Sequence, residues 1–306
     1  MRAPDLLFNR SIPFVKWMLF IVTVLATVAC SDQPWNSPYP PDQAGQNILY
    51  SSFASRPNHL DPARSYASNE VVFNGQIYEP PLQYHFLKRP YQLEPLTATR
   101  MPEAYYLDEA GQRLPDGAGE EEIAYSVYDI EIQKGIRYQP HPAFAKDKRG
   151  RYLYHALREQ DLDSVTTLSD FHETGSRELV AADYVYQIKR LAHPRLNSPI
   201  FGLMSEYIVG LKDYAATLKQ VLEEEGTEAS QPRYLNLADY PLAGAEVLDR
   251  YRYRIRVRGK YPQFRYWLAM PFFAPLPWEA DLFYSQPGMK ERNITLDWYP
   301  VGTGPY

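Results

Sequence analysis

Four arginines alternate with apolar and aromatic residues in the run Tyr251-Arg252-Tyr253-Arg254-Ile255-Arg256-Val257-Arg258. Successive side chains of a strand point to opposite faces, so a strict period of two is the mark of a strand with one covered face. Tyr251, Tyr253, Ile255 and Val257 share one face, and the four arginines share the other. A chain carrying this run must build a sheet around it. The arginine face has two readings: a stripe that binds polyanions, or a wetted sheet face paired with acids on neighbouring strands. Charge favours the second. The chain has 32 Lys and Arg against 37 Asp and Glu, a net charge of −5. An acidic body is a poor main partner for nucleic acid or an anionic bilayer surface.

Other elements can be placed by pattern. Asn58-His59-Leu60-Asp61-Pro62 reads as a turn, with proline fixing the backbone. A helix is expected from about Asn69 to Glu79, capped by Ser68 or Asn69 and stopped by Pro80-Pro81. Residues 121–132 alternate, but the apolar set shifts phase from Ile123, Tyr125 and Val127 to Tyr128, Ile130 and Ile132. Such a slip implies a bulge or a change of covered face. Residues 108–122 read as a surface loop or hairpin tip. Tyr184, Ile188 and Leu191 recur at helical spacing within 180–192, with Asp183 in the first turn and Lys189-Arg190 in the last, where the helix dipole favours them. Another helix is expected over 205–225. Ile48-Leu49-Tyr50 and Phe53 read as a first strand. The 27 prolines imply many irregular connections, and the length suggests about two domains.

Cys30 is the only cysteine, so no disulfide can form within the chain and its core must hold the fold alone. It follows an apolar stretch of 13 residues, Trp17 to Ala29, preceded by Arg2, Arg10 and Lys16 against the single acid Asp5. That stretch is short of the roughly 20 residues a spanning helix needs, and it fits a secretory leader closed by small residues. The thiol is placed like the acceptor of a bacterial lipoprotein, which implies lipidation at Cys30 with cleavage before it. Thr27 departs from the leucine usual at that position. An ordinary secretory signal or an uncleaved anchor stays open. The chain then divides into a leader at 1–29, a lipidated cysteine and proline-rich extended tether at 30–46, and a folded part at 47–306. No segment after residue 29 is apolar enough to span a membrane.

Motifs for chemistry are sparse. The histidines at 59, 85, 141, 155, 172 and 193 lack metal-ligand spacing, and no nucleophile elbow occurs. Asp161 with Asp163, or Glu223 to Glu225, could supply the paired carboxylates of glycoside chemistry, but acids in loops and at helix ends read as solvated. Gly302-Thr303-Gly304 lacks the lysine and following helix of a phosphate loop. His141, between Pro140 and Pro142, reads as a loop residue. No catalytic residue, metal site or cofactor is expected.

Five spaced segments together resemble one family, the extracytoplasmic solute-binding proteins of oligopeptide and dipeptide ABC importers (solute-binding family 5). They are Leu60-Asp61-Pro62 with Glu70 and Ile77-Tyr78-Glu79, and Lys134-Gly135-Ile136-Arg137-Tyr138. Next come Ala181-Ala182-Asp183-Tyr184-Val185-Tyr186-Gln187-Ile188-Lys189-Arg190-Leu191, and then Leu248-Asp249 with the arginine strand, Tyr261-Pro262-Gln263-Phe264, Leu268-Ala269 and Ala274-Pro275-Leu276-Pro277. The last is Val301-Gly302-Thr303-Gly304-Pro305-Tyr306. Val180 stands where the family has a capping Ser or Thr, and 143–177 looks like an insertion. Family members run on well past the equivalent of Tyr306, so the resemblance implies an N-terminal portion.

The resemblance implies an α/β fold of the periplasmic binding protein type (type II, with an extra subdomain), its first lobe largely present and its second lobe outside the sequence. It implies a binding role and no enzymatic one: peptide captured between lobes by hinge closure, then delivered to an ABC permease and its ATPase. Tyr66, Ala67 and Ser68 are the implied ligand contacts, with packing of the subdomain the other reading for Tyr66. The protein would be a monomer on the periplasmic side of the cell envelope, held to the membrane by its lipid anchor. The portion at hand would bind weakly and could not close. Other cargo (a nickel chelate, an oligosaccharide, a murein peptide), a receptor that serves a sensor, and a lipid-anchored hydrolase or scaffold are the alternatives.

Overall fold

The structure is a computed structural model that describes residues 17–18, 45–47, 52–224 and 234–305. Cys30, most of the leader, the tether and the strand expected at Ile48–Tyr50 lie outside the described residues. The chain divides into two units, Met1–Ser52 and Phe53–Tyr306. Among the described residues, no helix is long and apolar enough to cross a membrane.

The arginine run forms β6 (Arg252–Arg258) of a four-stranded antiparallel sheet. Its other strands are β3 (Ala104–Leu107), β4 (Tyr125–Glu131) and β5 (Ala245–Asp249), in the order β3-β4-β6-β5. Tyr253, Ile255 and Val257 are buried as the period requires. The arginine face is acid-paired. Asp129 directly opposes Arg254 and accepts from its Nε and Nη2 at 2.6 and 2.9 Å, while Glu246 approaches from β5 at 3.5 Å. Asp249 accepts from Arg252 Nε at 2.6 Å. The phase slip in 121–132 is a change of covered face. The β4–β6 register runs unbroken from Tyr125↔Arg258 to Glu131↔Arg252, whereas the register shift of this sheet falls in β5, between Val247 and Asp249. Val127 lies on the arginine face and is nevertheless fully buried.

Helix α2 (Ala181–Arg190) packs on the apolar face of the sheet, with the ring of Tyr184 stacked on Tyr253 at 5.1 Å. It is buried on all sides, not on one stripe, because its polar residues find partners inside. Lys189 Nζ donates to the carbonyls of Leu237 and Tyr240, and Gln187 to that of Phe272. The helix expected over 205–225 is two, α3 (Phe201–Tyr207) and α4 (Leu211–Glu224). Between them Ile208 bridges Val257, Val209 N–H donates to Arg256, and Gly210 adopts a positive φ of 74°. Pairing with the sheet thus breaks the helix, and glycine makes the turn.

Helix α1 spans Ser68–Ile77, and a small hairpin follows, β1 (Leu82–Tyr84) with β2 (Leu93–Pro95). Two short helices, α5 (Phe264–Trp267) and α6 (Trp278–Tyr284), complete the set. Residues 143–177 are irregular, with three 3-10 turns. Ala143, Leu162, Val165 and Phe171 form a second apolar cluster with Phe283, Met289 and Ile294. His141 is more than a loop residue. It is buried, its Nδ1 accepts from Ala143 N–H, and its Nε2 meets the Tyr284 hydroxyl at 2.8 Å.

Candidate functional site

Tyr66, Ala67 and Ser68 enter helix α1, and all three are exposed. Neither Ser68 nor Asn69 caps this helix. Ala67 is the N-cap residue, Ser68 is the first helical residue, and Asn69 Nδ2 donates to the carbonyls of Ser55 and Arg56. Capping comes instead from Glu70, which turns back to accept from the N–H groups of Tyr66 and Ala67 at 3.1 and 3.2 Å. The same carboxylate accepts from Asn58 N–H, His59 N–H and Ser65 Oγ at 3.1, 2.9 and 2.9 Å. Burial opposes its charge, but these five donors outweigh burial and hold Glu70 below the usual carboxylate range.

Helix α1 is turned inside out. Glu70 and Asn74 are buried, while Val71 and Val72 are exposed beside Ser68, Gly75 and Gln76. The Tyr66 ring is 69% exposed, and its one aromatic neighbour among the described residues is Phe272 at 6.1 Å. The three anticipated residues therefore lie together at one edge of an exposed wall that also carries Val71 and Val72. Their backbone N–H groups are only partly free, since those of Tyr66 and Ala67 belong to Glu70. The Tyr66 ring and hydroxyl and the Ser68 hydroxyl have no hydrogen-bond partner among the described residues.

Behind the wall lies a buried ion pair. Asp61 accepts from both terminal nitrogens of Arg190, at 2.9 and 2.8 Å, and from Ala63 N–H at 2.8 Å. Burial opposes the Asp61 charge, yet Arg190 keeps its pKa below the usual range. Asp281 reaches the same guanidinium at 3.4 Å. At the other end of α2, Arg177 grips Asp183 and Glu279 with two hydrogen bonds each, between 2.6 and 2.8 Å. Asp183 also accepts from Val180 N–H, so an acid at the third helical position again replaces the side-chain cap. Burial lifts Asp183 above its usual range in spite of Arg177, and the Glu279 charge adds a smaller push the same way.

The Gly302-Thr303-Gly304 segment lies against the end of α1. A Cβ on Gly302 would sit 1.8 Å from the Ile77 carbonyl oxygen, and one on Gly304 would sit 2.2 Å from that of Gln76. Gly304 N–H donates to Ile77, and Gln139 donates to the carbonyls of Gly302 and Gly304. These glycines serve close backbone approach. A separate cleft of about 500 Å³ lies between the end of α2 and helix α4, lined by Leu191, Pro194, Phe201, Lys212, Ala215 and Lys219. It holds none of the anticipated site residues. Among the described residues no group of three His, Cys, Asp or Glu is placed to hold a metal ion.

The sequence reading missed Glu70 as the organising group and Val71 and Val72 as exposed. An acid three residues after the N-cap was the available signal for Glu70. Two adjacent valines beside buried polar residues give no periodic sign of exposure.

No family model matches the chain, and no curated protein does. Several solved structures resemble it in part. The Helicobacter pylori ABC transporter-associated periplasmic binding protein DppA, in complex with the peptide STSA, is 18% identical, with a TM-score of 0.44, over 81% of this chain and 33% of that one. Listeria monocytogenes OppA bound to peptide is 14% identical, with a TM-score of 0.44, over 81% and 33%. The Escherichia coli murein tripeptide binding protein MppA is 14% identical, with a TM-score of 0.46, over 82% and 33%. The chain thus spans about a third of the length of each.

Proposed function

We propose that this chain is part of the substrate-binding component of an ABC importer, which captures peptides outside the cytoplasm and passes them to a membrane permease. The observation that carries the reading is the Asp61–Arg190 pair. Two of the segments that resemble the solute-binding family, Leu60-Asp61-Pro62 and Ala181–Leu191, are far apart in sequence and meet in this one buried contact. It braces the loop that presents Tyr66, Ala67 and Ser68, and these residues are the proposed peptide contacts.

A peptide laid along such a wall would stack on the Tyr66 ring, cover Val71 and Val72, and bond to Ser68. Affinity from backbone hydrogen bonds, as in strand addition, goes with loose sequence preference. No cofactor takes part and no chemistry is done on the cargo. Lipidation at Cys30 would keep the protein, as a monomer, at the membrane on the periplasmic side, near its permease and ATPase.

The test is thermal or chemical unfolding with peptide pools, on this chain and on the full product of its reading frame. A ligand at one hundred times its Kd stabilises the protein by about 2.7 kcal/mol. Tyr66→Ala should weaken binding about ten-fold, the scale of losing one buried aromatic contact. It should leave unliganded stability unchanged, because the ring is exposed. No stabilisation by any peptide pool would overturn the cargo. Full binding by Tyr66→Ala would overturn the site.

A further inference from the structure

The two most exposed large apolar side chains of the described protein are neighbours. Phe86 is 87% and Leu87 78% exposed, at the tip of the β1–β2 hairpin. Tyr91, Tyr84 and Tyr266 are exposed beside them, with Tyr84 stacked on Tyr266 at 6.5 Å and edge-on to Tyr91 at 6.1 Å. Single exposed apolar residues need no explanation, but a contiguous group does.

Part of the backbone of this tip is bonded within it. His85 Nδ1 accepts from the N–H groups of Leu87 and Lys88 at 3.2 and 3.3 Å. Arg89 Nη1 donates to the carbonyls of Phe86 and Lys88 at 3.4 and 2.9 Å, and its guanidinium lies 4.2 Å over the Tyr91 ring. The charge is local too. The chain is acidic as a whole, but Glu94 is the only acid between Leu82 and Pro95, against Lys88 and Arg89, and it accepts from Gln83.

We propose that this hairpin tip inserts Phe86 and Leu87 into the interface of an anionic bilayer, with Lys88 and Arg89 on lipid phosphates and the tyrosines at headgroup level. An apolar tip, cations beside it and a band of tyrosines are what the interfacial region selects. A purely apolar protein groove would accept Phe86 and Leu87 but would leave Lys88 and Arg89 without counter-charges. The inference does not depend on the nature of the cargo.

The test uses the full chain with Cys30→Ser, so that no lipid anchor contributes, and a single NBD label at Leu87→Cys. A control carries the label at Glu109→Cys, in the exposed turn after β3. Vesicles are phosphatidylcholine, alone or with about one-third phosphatidylglycerol. Expected is a rise of about two-fold in label emission, with a blue shift, at position 87 on the anionic vesicles, and a silent label at 109. Phe86→Ser should lower vesicle affinity about ten-fold, the scale of one large apolar side chain. Lys88→Glu should lower it about ten-fold on anionic vesicles only. Vesicle binding with both labels silent would place the contact in the N-terminal apolar run and overturn the proposal. So would a label at 87 that ignores vesicles but responds to solubilised membrane protein, which assigns the tip to a protein partner.

Discussion

Replacing Asp61 by alanine removes the carboxylate that holds Arg190 where water cannot replace it. The Arg190 side chain is 1% exposed and that of Asp61 5%. Without Asp61, the guanidinium keeps Gln187 Oε1 at 3.2 Å and Asp281 at 3.4 Å. Breaking one side of a buried pair costs about 3–5 kcal/mol, chiefly because the remaining charge is stranded. The residual Asp281 contact puts the expected loss at the lower end, about 3 kcal/mol, or roughly a hundred-fold in the folding equilibrium. Urea unfolding with an unchanged m value measures it. The double variant Asp61→Ala/Arg190→Met removes the stranded charge as well and should recover most of the loss. Acid provides a second check. Arg190 holds the folded pKa of Asp61 below its ordinary 3.8, so the stability it contributes is complete above that value and is lost as pH falls through the folded pKa. The gap between wild type and Asp61→Ala should therefore close below about pH 4. A loss under about 1 kcal/mol, or a double variant no better than Asp61→Ala, would refute the stranded-charge argument and the bracing role built on it.

Burial pushes His141 down to about 3, so the folded protein keeps it neutral while the unfolded chain titrates near the ordinary 6.5. Between pH 7 and pH 5 this residue alone should cost about 2 kcal/mol of stability, and His141→Gln should flatten that part of the pH profile in chemical unfolding. Gly302→Ala drives a methyl group into the Ile77 carbonyl, at 1.8 Å from backbone that cannot swing away, and should destabilise by about 1–3 kcal/mol or more. Gly75→Ala, on the open face of the same helix with nothing within 4 Å, should instead stabilise by about 0.5–1 kcal/mol; equal melting temperatures for the two variants would contradict the close-approach account of Gly302.

What the sequence discloses here depends on how local the cause is. The arginine strand was legible because a period of two is decided within eight residues, and the acids that pair with it were implied by overall charge. Helix α2 was legible for the same reason, but its burial on every side was not. Lys189 and Arg190 look like a wetted last turn until the Leu237 and Tyr240 carbonyls and Asp61 are brought to them from distant segments. The break at Ile208–Gly210 is likewise a tertiary event, in which pairing with Val257 and Arg256 overrides local helix preference. Ser68 and Asn69 have the right chemistry for a cap, yet the helices with Ala67 and Val180 at the N-cap are each served by the acid three positions on, Glu70 in one and Asp183 in the other. That arrangement leaves the Ser68 hydroxyl free at the surface, whereas a capping Ser68 would have spent it on the helix. The departure from ordinary capping thus leaves the Ser68 hydroxyl, among the described residues, without a hydrogen-bond partner beside the exposed Tyr66 ring, where the peptide contact is proposed. The same buried carboxylate that spares the Ser68 hydroxyl from capping also fixes the loop from Asn58 to Ala67, so the open hydroxyl and the rigid loop have a single cause.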